Sequence, residues 1–299
     1  MPTISAIVPT YGVPDRLQRT AESVLNQTLA DLELIVVDDN DPGTPERKAT
    51  EELMAKLGAK DERVIYLQHE RNKNGSAARN TGLRRAQGKY VAFLDSDDEY
   101  VSTRFERCVK ALEEANDPKI QGVYTGCELR KNDATYRKMQ NVGSGNFMVA
   151  YLQLRFNLFT GSNIFMTRAA AESLDGFDEA FLRHQDVEFM IRFFEKYDII
   201  GLPEILVIKN VVGRNNPSLA KLKAIKDQLL EKFRPTIEAL PKREQEKIYG
   251  AHYAQMAEGY LRARKMSEAK KYIKLVRQNH CMDCRRLVRF FVYFLRSFK

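Results

Sequence analysis

The chain has 299 residues and a mass of 34.4 kDa; 43% of its residues are hydrophobic and 29% are charged. This composition predicts a sizeable core in one large α/β domain with an appendage. No apolar run is long enough to cross a bilayer, and residues 1–5 lack the basic and apolar regions of a secretory signal. With only four cysteines, the chain is expected in a reduced, cytosolic setting.

The net charge of +8 is concentrated at one end of the chain. Residues 219–299 carry 20 Lys and Arg against 8 Asp and Glu, a net charge of +12, which leaves −4 for residues 1–218. We therefore expect the basic tail, and not the whole protein, to meet an acidic surface.

Strand and helix signals alternate through the first hundred residues. Short apolar runs predict strands over residues 3–8, 32–37, 63–67 and 90–94, and helical patterns follow Pro14 and occupy residues 45–57 and 77–86. Such alternation is typical of βαβ units and predicts a mostly parallel sheet. Strand signals return over residues 122–127 and 163–167.

The strand predicted over residues 90–94 ends in an acidic cluster, Asp95, Asp97 and Asp98. Open α/β sheets bind their ligands at the carboxyl ends of their strands. Crowded carboxylates raise one another's pKa unless a cation joins them, and their oxygens suit Mg²⁺ or Mn²⁺. Two interpretations stay open from this segment alone: a metal–phosphate site, or a solvated acidic turn that begins the next helix.

A second acidic pair, Asp38 and Asp39, follows the strand predicted over residues 32–37. A carboxylate in this position can cap a helix, or it can accept a hydrogen bond from a ribose hydroxyl or a base N–H. Because the two acidic groups should meet at one edge of the sheet, we expect them to contribute to one ligand site.

Five segments of the chain occur in a specific order and spacing: residues 6–11 (AIVPTY), 34–40 (LIVVDDN), 74–80 (NGSAARN), 88–98 (GKYVAFLDSDD) and 176–189 (GFDEAFLRHQDVEF). Together they resemble the motifs of family 2 glycosyltransferases with the GT-A fold, over roughly residues 3–218. The resemblance implies a Rossmann-like sheet flanked by helices. It also implies transfer of a sugar from a nucleotide donor, most often UDP, with inversion at the anomeric carbon.

The same resemblance implies roles for individual residues. By position, Asp39 is similar to the residue that binds the uracil, with Tyr11 stacking nearby; Asp95 would contact the ribose. Asp97 would hold a divalent metal, Mn²⁺ or Mg²⁺, that bridges the diphosphate. The further nucleotide-binding residues expected from these motifs are Pro9, Thr10, Asp38, Ser96 and Arg79. For Arg79 three roles stay open: contact with the carboxylates, contact with the phosphates, or a structural role.

Asp186 is the candidate catalytic base. It lies where a helical pattern begins, and the dipole of a helix N-terminus stabilises an ionised carboxylate. By itself this position favours a helix cap, but the resemblance reverses that interpretation, because it places the family's base here. The family often has Glu-Asp at this point, whereas this chain has Gln185 and Asp186. His184 is a weaker candidate for the base.

One departure from the family pattern concerns the metal. Members often carry a histidine twenty to thirty residues after the base, and residues 209–218 contain none. Arg214 is the candidate to contact the diphosphate instead, because a guanidinium matches phosphate geometry. We therefore expect the metal to bind more weakly than in family members that have this histidine.

From residue 218 onwards the pattern predicts helices only. Residues 249–279 resemble one helix–turn–helix unit of a tetratricopeptide repeat, or a plain packing hairpin. In residues 285–299 basic side chains share one helical face and aromatic and aliphatic side chains the other, which is typical of a helix in a membrane interface. Docking on the domain or on a second subunit of a homo-oligomer is the alternative. No nucleic-acid-binding motif accompanies the charge.

The sequence thus predicts a GT-A domain over residues 1–218 and a basic helical extension over residues 219–299. The expected function is metal-assisted, inverting transfer from a UDP-sugar to a glycan or lipid-linked glycan, for surface polysaccharide, at the cytoplasmic membrane face. One alternative is a nucleotidyltransferase that forms an activated sugar, although the Gly-rich basic loop typical after its first strand is replaced here by residues 9–12 (PTYG). Another is a catalytically silent binding module.

Overall fold

A computed structural model describes residues 1–12, 14–140, 142–211, 217–282 and 284–296. Its internal contacts divide the chain into two compact units. We call residues 1–146 and 158–214 the sheet unit, and residues 147–157 and 215–299 the helical unit.

The sheet unit is built on a mixed sheet in the order β3-β2-β1-β4-β8-β6-β9-β5, with β7 paired to β6. Its strands are β1 (Ile4–Thr10), β2 (Leu32–Asp38), β3 (Val64–Gln68), β4 (Tyr90–Phe93), β5 (Glu99–Tyr100), β6 (Ile120–Lys131), β7 (Ala134–Met139), β8 (Phe165–Thr167) and β9 (Asp198–Asn210). The first four pair in parallel, with Ile7 beside both Ile35 and Phe93. Strand β8 is antiparallel to β4, and β9 is parallel to β6.

Helices connect the strands and cover the sheet. In chain order they are α1 (Pro14–Leu25), α2 (Pro45–Gly58), α3 (Gly75–Arg85), α4 (Arg104–Glu114), α5 (Met148–Leu152), α6 (Arg168–Ser173) and α7 (Gln185–Lys196), with a 3₁₀ turn over Gly161–Asn163. Of these, α5 belongs to the helical unit. Strand β2 is buried at every position, as expected for an Ile- and Val-rich strand covered on both faces.

Helix α3 approaches β1 so closely that a glycine is required. A Cβ atom built on Gly82 would lie 2.4 Å from Cγ2 of Ile7, a contact that real side chains do not make. The missing side chain lets α3 pack directly over the central strands. Arg79 lies on the same helix, one turn before Gly82, so this packing also helps to position Arg79 relative to the sheet.

The helical unit contains α5 and the C-terminal helices α8 (Leu219–Lys232), α9 (Arg234–Glu238), α10 (Lys242–Arg262), α11 (Met266–Gln278) and α12 (Cys284–Arg296). Its apolar core is formed by residues such as Ala257, Ala269 and Val276, where α10 and α11 pack together. Among the described residues, no helix combines the length and the apolar character needed to span a membrane.

The fold class predicted from the sequence is confirmed: an α/β sheet with a wholly helical C-terminal part. Strand β9 was not predicted, although it pairs with β6 over most of its length. The division into functional domains at residue 218 stays a prediction. The sequence pattern did not indicate that residues 147–157 pack with the C-terminal helices, as the contacts show.

Candidate active site

Most of the predicted site residues lie where β1, β2 and β4 end and where α7 begins, and Arg79 lies on α3. The loops after β1 and β2 are joined by two hydrogen bonds: the backbone N–H of Asp39 donates to the carbonyl of Thr10, and that of Gly12 donates to Oδ1 of Asn40. The ring of Tyr11 is 61% exposed beside this junction. The hydroxyl of Thr10 is buried and has no hydrogen-bond partner among the described residues.

Asp38 is fully buried and holds its own loop together. Its Oδ1 accepts hydrogen bonds from the backbone and the side chain of Asn40, and its Oδ2 accepts one of 2.6 Å from the hydroxyl of Tyr66. Nε of Arg47 lies 3.4 Å from the same Oδ2. Burial, and then the bond to Asp38, raise the pKa of Tyr66. These contacts give Asp38 a structural task at the edge of the sheet.

Asp39 anchors the loop that leads into α3. Its two carboxylate oxygens accept hydrogen bonds from the backbone N–H groups of Lys73 and Asn74, from Nδ2 of Asn72 and from Nδ1 of His69, at 2.7 to 3.0 Å. A carboxylate offers about four lone-pair sites, so this set fills them. The role predicted for Asp39, contact with uracil, stays a prediction, and the geometry adds a loop-anchoring role that sequence reasoning did not include.

Arg79 joins β4 to the start of α7. One guanidinium nitrogen donates to Oδ1 of Asp95 at 2.6 Å, and another donates to Oε1 of Gln185 at 2.8 Å. Burial raises the pKa of Asp95, but the positive charges of Arg79 and Lys209 outweigh that effect and the pKa is lowered overall. Arg79 thus contacts one of the carboxylates, and its contact with the phosphates stays a prediction.

Asp97 and Asp98 follow β4 but have different surroundings. Asp98 is fully buried and accepts hydrogen bonds from Oγ of Ser162 at 2.6 Å and from the backbone N–H of Asn210 at 3.0 Å. Burial, with the neighbouring carboxylates, raises the pKa of Asp98 to about 7. The side chain of Asp97 accepts no hydrogen bond from the side chain of another described residue, and burial with Asp95 raises its pKa.

Lys209, on β9, places an ammonium group among these carboxylates. Its Nζ donates to Oγ1 of Thr160 at 2.7 Å and lies 3.7 Å from Oδ2 of Asp98. Burial lowers the pKa of Lys209, but the charges of Asp98, Asp95, Asp97 and Asp186 raise it overall. The lysine therefore stays protonated and offsets part of the repulsion in the acidic cluster.

Asp186 is partly buried in the first turn of α7. The 3₁₀ turn lies beside it: a Cβ atom built on Gly161 would be 3.5 Å from Cβ and 3.8 Å from Oδ2 of Asp186. His184, which precedes the helix, adopts a left-handed backbone conformation with φ of 57° and makes no side-chain cap. Arg214 lies outside the described residues, and Pro9 and Ser96 lie on β1 and after β4.

A cavity of about 370 Å³ opens next to Asp97. The charged side chains of its described lining are the carboxylates of Asp97, Glu99 and Asp133 and the cationic groups of Arg16, Arg19, Arg130 and Lys131. Asp95 and Asp186 are not among the lining residues. A space lined by both cationic groups and carboxylates suits an anionic ligand that is held together with a metal.

The residues fit a divalent cation only in a limited way. The described residues contain no group of three or more His, Cys, Asp or Glu side chains arranged to hold a metal. No side chain of the described residues donates to the carboxylate of Asp97, and a bound cation would offset the burial and the charge of Asp95 that raise its pKa. Mg²⁺ commonly binds through one or two carboxylates and takes further ligands from substrate phosphates and water.

Sequence reasoning missed Lys209, Thr160 and Ser162, which contact the acidic cluster. No residue pattern marks them: Lys209 lies on a strand that periodicity did not reveal, Thr160 precedes the short 3₁₀ turn, and Ser162 lies within it. The sign that could have located Lys209 is electrostatic, because several buried carboxylates require a cation nearby.

The amino-acid sequence is similar to known glycosyltransferases. A family model described as glycosyl transferase family 2 matches residues 5–175. An uncharacterised glycosyltransferase of Methanocaldococcus jannaschii is 31% identical over 225 residues, which cover 72% of this chain and 73% of that protein. The chain belongs to glycosyl transferase family 2.

Other family 2 relatives are similar over shorter stretches. A putative teichuronic acid biosynthesis glycosyltransferase of Bacillus subtilis, TuaG, is 36% identical over 45% of this chain and 50% of its own length. A UDP-Glc:alpha-D-GlcNAc-diphosphoundecaprenol beta-1,3-glucosyltransferase of Escherichia coli, WfaP, is 34% identical over 38% of this chain and 42% of its own length. The chain thus matches half or less of the length of these two relatives.

Solved structures of glycosyltransferases share the fold. TarS of S. aureus, in complex with UDP-GlcNAc, has a TM-score of 0.59 at 15% identity, and the alignment covers 92% of each chain. The mannosyltransferase PcManGT of Pyrobaculum calidifontis, in complex with GDP-Man and Mn²⁺, has a TM-score of 0.55 at 16% identity, over 98% of this chain and 87% of that one. The family 2 chain therefore has the GT-A fold that its motifs predicted.

Proposed function

We propose that this family 2 glycosyltransferase moves a sugar from a UDP-sugar to a hydroxyl group of a glycan, with inversion at the anomeric carbon. The observation that carries the proposal is the link through Arg79, which holds Asp95 at the end of β4 and Gln185 beside Asp186 in one arrangement. A donor site and a base on separate elements need such a link, because transfer depends on their relative position.

The donor side of the proposal rests on the ends of β1 and β4. The exposed ring of Tyr11 is available to stack on a base, and Asp95, kept ionised by Arg79, would accept a hydrogen bond from a ribose hydroxyl. Pro9, Thr10, Asp38, Asp39 and Ser96 would form the walls of the nucleotide site. TarS was solved with UDP-GlcNAc and PcManGT with GDP-Man on the same fold, while WfaP, by its name, uses UDP-Glc; the two UDP-sugars among these three donors support UDP as the nucleotide.

Asp186 is the proposed general base. It would take the proton from the acceptor hydroxyl as that oxygen attacks the anomeric carbon, while the bond to the nucleoside diphosphate breaks and the diphosphate leaves with the electron pair. Asp186 lies in the first turn of α7, where the helix dipole favours a negatively charged group. The positive charge of Lys209 would stabilise the ionised form of the neighbouring carboxylates while negative charge develops on the leaving diphosphate.

Asp97 is the proposed metal ligand, with Mn²⁺ or Mg²⁺ as the cofactor. The metal would supply a Lewis acid that neutralises charge on the leaving diphosphate. Support comes from the carboxylate of Asp97, to which no described side chain donates, from the adjoining cavity with its charged lining, and from PcManGT, which was solved with Mn²⁺. Arg214, if it reaches the diphosphate, would add a bidentate contact.

The proposed acceptor is a glycan or a lipid-linked glycan of a surface-polysaccharide pathway. WfaP and TuaG, by their names, act in such chemistry. We place the protein at the cytoplasmic face of a membrane, held there peripherally by α12. Residues 1–218 would then form the transferase domain, and residues 219–299 its membrane-directed extension.

The test is release of nucleoside diphosphate from a panel of nucleotide sugars, with Mn²⁺, Mg²⁺ or a chelator. We expect slow release from one UDP-sugar, lost with the chelator. In Asp186→Asn the turnover number should fall by about 10²–10⁴-fold, with donor affinity unchanged. Glu195→Gln, at the exposed far end of the same helix, is the matched control and should keep full activity.

Other outcomes separate the alternatives. Formation of a nucleotide sugar and pyrophosphate from a nucleoside triphosphate and a sugar phosphate would assign the chain as a nucleotidyltransferase. Failure to bind any nucleotide sugar would overturn the donor proposal and favour a binding module. Full activity in Asp186→Asn would remove Asp186 from the mechanism.

A further inference from the structure

A second cavity, of about 270 Å³, lies within the helical unit. Three permanently cationic side chains line it, Arg155, Lys247 and Arg286, together with His280 and Gln153. The described part of its lining contains no carboxylate. Its volume is below the roughly 300–1,000 Å³ of pockets that enclose drug-sized ligands, so it suits a charged headgroup better than a whole lipid or sugar chain.

Contacts inside the helical unit hold the cationic groups at the cavity. Arg155 donates to Oε1 of Gln153 at 3.3 Å, and Gln153 and Lys247 both donate to the carboxylate of Glu244, Lys247 at 2.6 Å. Arg286 donates to the backbone carbonyl of Cys281. Among the described residues Glu244 is the carboxylate that contacts this group, and the three cationic side chains give the cavity wall a positive potential that attracts an anion.

The helix that carries Arg286 also presents an apolar strip. Helix α12 is held to α10 along one edge: Phe290 is buried in the core of the helical unit, and Tyr293 lies under the guanidinium of Arg262 at 4.4 Å. Beyond that edge, four large apolar side chains remain exposed by 38% to 63%, namely Leu287, Val288, Phe291 and Val292. Docking on its own unit therefore does not account for the apolar face of α12.

We propose that the cavity binds the phosphate group of an anionic membrane lipid while the apolar strip of α12 enters the bilayer beside it. A guanidinium matches phosphate geometry, and basic residues next to an interfacial apolar face are the arrangement by which peripheral proteins select anionic lipids. The inference rests on the membrane association proposed above and is independent of the transfer reaction.

The test measures binding of the full-length protein to vesicles of phosphatidylcholine, with and without added phosphatidylglycerol. The pocket variant is Arg155→Gln/Lys247→Gln/Arg286→Gln. The matched control is Lys270→Gln/Lys271→Gln/Lys274→Gln, which removes the same charge from exposed positions of α11. We expect the pocket variant to lose about a hundredfold in affinity for the anionic vesicles, and the control less than about threefold.

Each other outcome has a definite meaning. Equal losses in the pocket variant and the control would overturn the inference, since charge alone would then explain binding. Saturable binding of inorganic phosphate to the cavity without any preference for anionic vesicles would also overturn it and assign a soluble anion. The single variant Arg155→Gln should show a loss of about tenfold and guards against misfolding of the triple variant, and circular dichroism checks both folds.

The membrane association has a separate test. Phe291→Ser should weaken binding to both kinds of vesicle, because it removes apolar surface and no charge. If the wild-type protein binds neither kind, the association itself fails, and with it the location given under the proposed function. If the wild type binds vesicles but the pocket variant loses no more affinity than its control, the membrane association stands and the role of the cavity is excluded.

Discussion

At the scale of single residues, the site depends on compensation of charge. Asp95, Asp97 and Asp98 follow one strand, and two cations from other parts of the chain, Arg79 and Lys209, offset their repulsion. The result is a set of carboxylates with different properties: the pKa of Asp95 is lowered, whereas those of Asp97 and Asp98 are raised. One acidic segment can therefore supply groups for different tasks.

Arg79→Lys tests the link between β4 and α7. A lysine ammonium cannot present the planar fork that reaches Asp95 and Gln185 at once. We expect a fall of about 10–100-fold in the turnover number, because the donor site and the base lose their relative position. Arg84→Lys, at an exposed site on the same helix, should change turnover by less than about twofold; equal effects would exclude the linking role.

Lys226, in the helical unit, gives a prediction for pH dependence. It is 4% exposed, donates to Oε1 of Gln255, and burial lowers its pKa from 10.5 to about 8. The unfolded chain therefore binds more protons than the folded one between pH 8 and 10.5, and this group makes the folded state more stable as pH rises through that range. The variant Lys226→Met has no titratable group at this position, so its stability lacks this contribution to the pH dependence.

The measurement is urea unfolding of both proteins at several pH values. We expect the wild type to gain up to about 3 kcal/mol relative to Lys226→Met between pH 8 and 10.5. A difference that does not change with pH would show that Lys226 keeps its ordinary pKa when buried.

At the scale of elements, the functional edge depends on how closely helices approach the sheet. Helix α3 lies directly over β1, and the loop before it is fastened to β2 through Asp39. Strand β9 brings Lys209 to the same edge from the far side of the sheet order. The position of each site residue thus follows from packing between elements that are distant in the chain.

Gly82→Ala tests the close approach of α3. A Cβ atom at this position would lie 2.4 Å from Ile7, so the helix must shift, and we expect a loss of about 1–3 kcal/mol in the free energy of unfolding. Gly58→Ala is the control, because nothing lies within 4 Å of the added atom; it should be neutral or stabilising by up to about 1 kcal/mol. Urea unfolding distinguishes the two, and equal effects would contradict the packing argument.

At the scale of the whole molecule, residues 147–157 belong to the helical unit although the chain returns to the sheet unit after them. They lie between two parts of the sheet unit in sequence, yet Tyr151 and Leu152 are buried in the helical unit, where the carbonyl of Leu152 meets Nε2 of His252 at 3.0 Å. A cut at residue 218 therefore removes the partners of this segment.

Truncation after residue 218 should expose the apolar side chains of residues 147–157. We expect the shortened chain to bind a hydrophobic dye and to associate at concentrations at which the full chain does not, because that surface loses its cover. Size-exclusion chromatography with dye fluorescence measures both effects. A shortened chain that stays monomeric and binds no dye would contradict this account.

The sequence by itself determined the alternation of strands and helices, the family, and the segments that hold Asp38, Asp39, Asp95, Asp97 and Asp186, because these features are local patterns of hydrophobicity and spacing. It did not indicate β9, whose 13 residues show no clear period. It also could not indicate that Asp39 anchors the loop before α3 or that Arg79 donates a hydrogen bond to Asp95.

Tertiary structure alone decided those features, since each depends on groups far apart in the chain. Lys209 meets Asp98 across more than a hundred residues, and Arg79 meets Gln185 across a similar distance. The energy of a buried charge depends on every charge and donor around it, and not on its sequence neighbours. Local pattern therefore located the acidic groups, and only the folded chain assigned their partners.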